Sequence, residues 1–233
     1  MNNFTNDCLT CKTKSCSVLK NCDSDILLNI SQKKICKEIK KGENLFSEGD
    51  VVHGIYFIKK GVLKVELNGQ IGRPLITNLA TQGAMFGHRV TANQKLHTST
   101  VTAIEDCECC FIPLHLFQDL TLKSQNLKDQ ISCYFLTEIE HAERSMIHLA
   151  HKTVKEKIAI AFLNFSKFYN YTGKNSFTIH FSRQEIADFT GTSKEQVSRI
   201  IKDFENEKLI KCKAKKVFYL NVEGLKNIAK LFS

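Results

Sequence analysis

The sequence predicts an α+β chain built from a short-stranded jelly roll, a long helix and a C-terminal winged helix-turn-helix. Three observations point there. Gly42, Gly49, Gly54, Gly61 and Gly69 interrupt strand-like runs over roughly residues 38–113, the rhythm of a small β-roll. Between Phe135 and Leu149 the apolar positions recur at four, three, four and three residues, which is helical spacing held along one seam. Residues 182–210 read as two short amphipathic helices joined by a glycine turn.

Taken in order, residues 1–22 form a polar, cysteine-rich segment. Cys8, Cys11, Cys16 and Cys22 are separated by two, four and five residues. Short polar loops of this kind can gather thiolates around a zinc ion or an iron–sulfur cluster, and spacing alone does not choose between them. A disordered tail without a ligand is the plainer alternative. The chain has 10 cysteines, and the N-terminus carries no apolar signal core. A cytoplasmic chain with metal or redox chemistry is therefore expected, rather than a disulfide framework.

Over residues 24–37, Ile26, Leu27, Ile30, Ile35 and Cys36 suggest a helix. The roll follows. Its clearest strands are expected at 55–58 and 62–67, with others at 74–79, 98–104 and 109–112. The roll domain is assigned to residues 23–120. No glycine fingerprint opens a helix after a strand, so a dinucleotide-binding fold is not expected. Residues 121–150 form the linking helix, with a seam of Phe135, Ile139, Ala142, Met146 and Leu149. Its length suits two uses at once, one face turned inward and one towards a twin helix in a homodimer. Ala142 would let two such backbones approach closely.

Residues 151–233 form the last domain. Ile158, Ala161, Phe162, Phe165 and Phe168 give its first helix a core seam, and residues 177–181 read as a strand. Ser182 and Glu185 have the spacing of a capping box, and so do Ser193 and Gln196. Gly191 supplies the freedom that a sharp turn needs. Ile186, Ala187, Phe189, Val197, Ile200, Ile201 and Phe204 face inward. After Ile210 the run KCKAKKVFYLN reads as a hairpin with a basic turn at 214–216, from which Lys215 can reach phosphates as a wing. Cys212 is read as a small strand residue with no chemistry.

What remains exposed on the second helix carries the function. Lys194, Glu195, Ser198, Arg199 and Lys202 lie on its solvent side, and Glu195, Ser198 and Arg199 form one ridge at i, i+3 and i+4. A DNA major groove admits such a helix, and its base edges offer acceptors to arginine and a cytosine donor to glutamate. The plainer alternative is a charged helix surface. Charge segregation argues against it: residues 151–233 hold 16 Lys and Arg against 8 Asp and Glu, whereas residues 1–150 hold 17 against 16. A basic half containing a helix-turn-helix suits a phosphate backbone. No apolar run is long enough to span a membrane. No nucleophile–base set, phosphate loop or carboxylate pair suggests an enzyme.

A jelly roll, a linking helix and a winged helix-turn-helix in that order resemble the CRP/FNR family of bacterial transcription regulators over nearly the whole chain. The strongest local match is Thr192-Ser193-Lys194-Glu195-Gln196-Val197-Ser198-Arg199, which is similar to the recognition helix of the FNR-like branch. The resemblance implies a cyclic-nucleotide-binding-like double-stranded β-helix as sensor. It implies base contacts from Glu195, Ser198 and Arg199; Lys194, Lys202, Ser182 and Lys215 are the further DNA-contact candidates read from the residues themselves. It also implies a homodimer on a palindromic duplex operator about one DNA turn between half-sites, and it allows RNA polymerase as a partner. The cyclic-nucleotide branch binds its ligand with a glutamate, an arginine and a hydroxyl residue. By position these are His88, His97 and Thr98 here, so cyclic AMP is not expected. Arg89, one residue later in a strand, would point the wrong way. The oxygen-sensing branch holds a [4Fe-4S] cluster on three N-terminal cysteines and a fourth at the end of the roll. The match implies Cys8, Cys11, Cys16 and Cys110, with Cys22 a possible substitute and zinc or a thiol switch the alternative.

Overall fold

A computed structural model describes residues 7–69, 73–90, 95–168, 177–178, 181–213 and 216–229. The chain forms two compact units, Met1–Leu67 with Asn78–His141, and Asn68–Thr77 with Ala142–Ser233. In the first, a short 3-10 helix, Lys12–Cys16, precedes α1, Ser24–Lys33. Eight strands follow: β1 Ile35–Ile39, β2 Asn44–Phe46, β3 Gly54–Lys60, β4 Leu63–Asn68, β5 Pro74–Ala80, β6 Met85–Phe86, β7 Thr100–Ala103 and β8 Cys107–Pro113. They make two four-stranded sheets in the orders β1-β8-β3-β6 and β2-β7-β4-β5. Helices α2, Leu114–Lys123, and α3, Gln125–His151, follow, with α3 passing from the first unit into the second at Ala142.

The expected helix over 24–37 is shorter than the apolar spacing suggested. It ends at Lys33, because Lys34 turns to extended backbone and Ile35 and Cys36 enter β1. Strand pairing won over helical periodicity: β1 runs antiparallel to β8, with Cys36 opposite Cys110 and Lys37 opposite Cys109.

Two cores follow from the two-residue alternation of strands. Ile58, Leu63, Val65, Val101, Ala103, Cys107 and Cys109 belong to one. Leu27, Ile30, Ile55, Phe57, Ile112, Leu116 and Leu127 belong to the other. Strand β8 thus sends Cys107 and Cys109 to one core, while Cys110 and Ile112 meet the other. Each fully buried Leu, Ile or Phe contributes about 1.5–3 kcal/mol relative to exposure.

The first half of α3 is anchored to the roll by the Tyr134 hydroxyl, which accepts from the Met85 N–H at 3.2 Å. The expected seam divides. Phe135 and Leu149 are half-buried, whereas Ile139, Ala142 and Met146 are exposed. Leu136, Ile139, Met146 and Ile147 are 54–66 % exposed and recur at helical spacing, so α3 carries an open apolar stripe.

The second unit contains α4, Val154–Phe168, then β9, Phe177–Thr178, α5, Arg183–Thr190, and α6, Lys194–Asn206. Strands β10, Ile210–Lys213, and β11, Lys216–Tyr219, form a hairpin whose second strand also pairs with β9. Helix α7, Val222–Ala229, follows. Its Leu225 and Ala229 are buried, and it was not anticipated in the sequence reading. A capping box opens α4: the Thr153 N–H and hydroxyl both donate to Glu156 Oε2 at 2.7 Å. Ile158, Ala161, Phe162 and Phe165 are fully buried along α4. Phe165 stacks on Phe181 with centroids 4.5 Å apart. The side chain of Phe168 lies outside the described residues.

Candidate nucleic-acid interface and thiol pocket

The helix-turn-helix is fixed by local chemistry. Ser182 accepts from the Glu185 N–H, and the Glu185 carboxylate accepts from the Ser182 N–H at 2.8 Å. This reciprocal cap satisfies two of the orphan donors at the start of α5. Gly191 ends α5 in the left-handed region, at φ 62° and ψ 43°. Ser193 then caps α6 by accepting from the Gln196 N–H at 3.3 Å. The expected reciprocal bond from Gln196 is replaced by one from the Thr192 hydroxyl to its Oε1.

On α6, Val197, Ile200, Ile201 and Phe204 are buried, so packing fixes which face remains outside. Lys194, Glu195, Ser198, Arg199 and Lys202 are all exposed. Glu195, Ser198 and Arg199 therefore share the open ridge, with Lys202 one turn further. Two of these groups are satisfied by the helix itself. The Ser198 hydroxyl donates to the Lys194 carbonyl at 2.9 Å. The Glu195 carboxylate takes hydrogen bonds from its own N–H and from Ser193, which hold it below the usual carboxylate range. Ser182 serves as the cap of α5 and is exposed. Lys215 and the basic turn around it lie outside the described residues. Cys212 on β10 donates its backbone N–H to Glu205 Oε1 at 2.8 Å, tying the hairpin to α6.

In the roll, Cys8, Cys11 and Cys110 line one pocket of about 430 Å³, mouth included, with Lys34 and an apolar wall of Leu19, Ile30, Phe57 and Ile112. The N-terminal segment is tied to the roll at several points. The Cys8 N–H donates to Ser31 Oγ at 2.7 Å, and Gln82 Nε2 donates to Thr13 Oγ1 at 3.2 Å. Gly83, at φ +90°, lies so close that a Cβ would stand 2.2 Å from the Cys16 carbonyl oxygen. Cys16 itself is exposed, and its thiol donates to the Thr13 carbonyl at 3.1 Å. It is not among the pocket-lining residues. Among the described residues, no group of three or more His, Cys, Asp or Glu is close enough to hold one metal ion.

The other cysteines differ in environment. Burial, with Glu105 beside it, pushes the Cys107 thiol up to about 11; burial, with Cys110 beside it, pushes Cys109 up to about 12. Both are sealed in the core. Burial likewise raises Cys110 to about 12, although Lys34 opposes it. Cys22 is raised to about 11 by burial and by Asp23.

The sequence reading missed Lys34. It is 9 % exposed and its Nζ lies 3.2 Å from Cys8 Sγ. Burial works against its charge, but the Cys110, Cys8 and Cys36 sulfurs outweigh burial and hold the ammonium above its ordinary range. The only prior signal was the Lys-Ile-Cys junction where helical spacing falters. Cys36, read as helical, sits with its Sγ 3.9 Å from Cys110 Sγ.

The three positions that match the cyclic-nucleotide branch are spread apart in role. His88 Nε2 is 2.9 Å from Glu138 Oε2 on α3, and Arg89 reaches the same oxygen at 3.3 Å. His97 is buried and stacks on Phe46 at 3.5 Å, with its pKa pushed down by burial. Thr98 is exposed.

Comparisons agree with this architecture. Residues 36–124 match the family described as cyclic nucleotide-binding domain, and residues 156–228 match the Crp-like helix-turn-helix domain. The transcriptional activator protein Anr of Pseudomonas protegens is 29% identical over 218 residues, covering 89% of this chain and 88% of that protein. The fumarate and nitrate reduction regulatory protein of Escherichia coli strain K12 is 28% identical, with coverage of 88% and 82%. The solved structure of FixK2 from Bradyrhizobium japonicum superposes with a TM-score of 0.76 at 19% identity, covering 86% of this chain and 99% of that one. No described helix is long and apolar enough to cross a membrane. With its sensory roll, long helix and winged helix-turn-helix, the chain belongs to the CRP/FNR family of DNA-binding transcription regulators, in the FNR-like branch.

Proposed function

We propose that this chain is a cytoplasmic, homodimeric regulator that reads a palindromic operator through Glu195, Ser198 and Arg199 and senses oxygen or redox state through a [4Fe-4S] cluster on Cys8, Cys11, Cys16 and Cys110. The observation that carries the sensing half is the common pocket of Cys8, Cys11 and Cys110. The donor chemistry fits. Thiols are the usual ligands of such clusters, and net charge and solvent exposure tune them. The Lys34 ammonium supplies positive charge against thiolates, and the apolar wall limits water. Cys16 would have to give up its thiol bond to the Thr13 carbonyl. Names that speak of fumarate and nitrate reduction among the relatives agree with a respiratory signal.

When bound, the cluster supplies an oxygen-labile link between the N-terminal segment and β8. The chain does the rest. Lys34 offsets charge, Gly83 admits the Cys16 turn, and α3 offers its stripe of Leu136, Ile139, Met146 and Ile147 for pairing with a second copy. On DNA, Lys194 and Lys202 position the helix on phosphates, and RNA polymerase is the partner for a bound activator. Cyclic nucleotide is not the effector in this reading, because His97 is spent on Phe46 and Arg89 on Glu138.

Anaerobic purification with iron, sulfide and zinc quantified tests the sensor. About four irons and four sulfides per chain, lost in air and lost in Cys110→Ser, support it. Zinc in their place, after anaerobic reconstitution with iron, moves the reading to a zinc or thiol switch. For the DNA half, Arg199→Ala should lose about 1–3 kcal/mol per half-site and relax base preference. Lys202→Ala should weaken all duplexes alike and reduce the salt slope. A neutral Arg199→Ala removes the proposed readout.

A further inference from the structure

Cys36 and Cys110 are directly opposite on neighbouring antiparallel strands, and their sulfurs are 3.9 Å apart. Opposed residues of such strands have Cα separations of about 4.5–5.5 Å, inside the range of about 4.4–6.8 Å that a disulfide spans. The sulfurs need to close by roughly 2 Å to bond, which side-chain rotation can supply without moving either strand. The other strand cysteines are not so placed. Cys107 faces Ile39 and Cys109 faces Lys37, and both thiols lie in the core between the sheets.

We infer that Cys36 and Cys110 form a reversible dithiol–disulfide pair, oxidised by small-molecule disulfides, that takes Cys110 out of service as a ligand. β1 is an edge strand of its sheet and β8 is internal, and both thiols are half-buried. In the step proposed, Cys36 is the first to meet the reagent. Its thiolate attacks one sulfur of the oxidant RSSR, forming the Cys36–SR bond and breaking RS–SR, with release of RS⁻. Cys110 then attacks the Cys36 sulfur, giving up its thiol proton as it does so, and expels the second RS⁻. The two thiol protons end on the two RS⁻ ions. The pair is oxidised by two electrons, and RSSR is reduced to two RSH. An excess of RSH reverses both steps. The pair requires no cluster. It adds to the proposed function a second oxidised state in which Cys110 is already spent.

The test uses the full chain prepared without iron, reduced, then treated with glutathione disulfide. Remaining thiols are alkylated, and peptides are mapped by mass spectrometry. The expected result is a Cys36–Cys110 linked peptide as the main product for Cys110, abolished by dithiothreitol. In Cys36→Ser the link is lost, and Cys110 appears alkylated or as a glutathione adduct. Cys110 joined mainly to Cys8 in the wild-type chain overturns the inference, as does Cys110 left unlinked while exposed Cys16 reacts. Because no iron is present, these outcomes are read independently of whether a cluster binds.

Discussion

Replacing Gly191 with alanine probes the turn that aims the recognition helix. Gly191 sits at φ 62° and ψ 43°, where a Cβ costs about 1–2 kcal/mol. A Cβ there would also meet Leu149 Cδ2 at 3.3 Å, the far end of a flexible side chain that can give way by a few tenths of an ångström. The backbone term therefore dominates, and the loss should be about 1–2 kcal/mol. The chain has two compact units, so a single unfolding midpoint would mix them. Hydrogen exchange read peptide by peptide avoids this. Protected amides of α5 and α6 should exchange about five- to thirty-fold faster in Gly191→Ala, while those of β3 and β8 stay unchanged. Asparagine tolerates the left-handed region, so Gly191→Asn should recover much of the protection. Unchanged exchange in Gly191→Ala would refute the claim that left-handed geometry sets this turn.

Further consequences can be read from the same contacts. Ser182→Ala removes one side of the α5 capping box and should cost about 1 kcal/mol of local stability, measurable by the same exchange experiment. Burial pushes the Glu138 carboxyl up, but His88 and Arg89 overcome it and leave its pKa below the ordinary 4.5. A depressed carboxylate stabilises the fold fully above its unfolded value, and that contribution fades as pH falls through the folded value. The stability advantage of wild type over Glu138→Gln should therefore be full at pH 7, begin to fade as pH falls below about 4.5 and be lost only below the depressed folded value. An advantage that persists unchanged at low pH would mean the carboxylate charge is not what holds α3 to the roll.

Legibility in the sequence followed the range of the forces involved. The helix-turn-helix was readable because its determinants are local: Ser182 with Glu185, Gly191, Ser193 and the apolar rows of α5 and α6 all act within one or two turns. The strands around Gly54 and Gly61 were readable for the same reason, through glycine punctuation and alternation. Cys36 reads as helical because Ile26, Leu27 and Ile30 set a helical rhythm and Ile35 and Cys36 extend the apolar run, whereas pairing with β8, more than seventy residues later, draws both into a strand. Lys34 was invisible as a pocket residue because its thiol neighbours come from the N-terminal segment and from β8. Helix α7 is short, and its Val222, Leu225 and Ala229 spacing gave a weak signal. The alternation of β8 separates Cys110 from Cys107 and Cys109 in a way that sequence adjacency alone could not.

The most direct test of coupling between the thiol pocket and the recognition helix is duplex affinity on one anaerobic, iron-loaded sample, before and after air, at constant salt. The duplex is a palindrome that the protein selects from a random pool. If the pocket governs DNA binding, affinity should change by about 5–150-fold as iron is lost, and Arg199→Ala should abolish the selective part of binding in the active state. Complete loss of iron with no change in affinity would contradict the coupling.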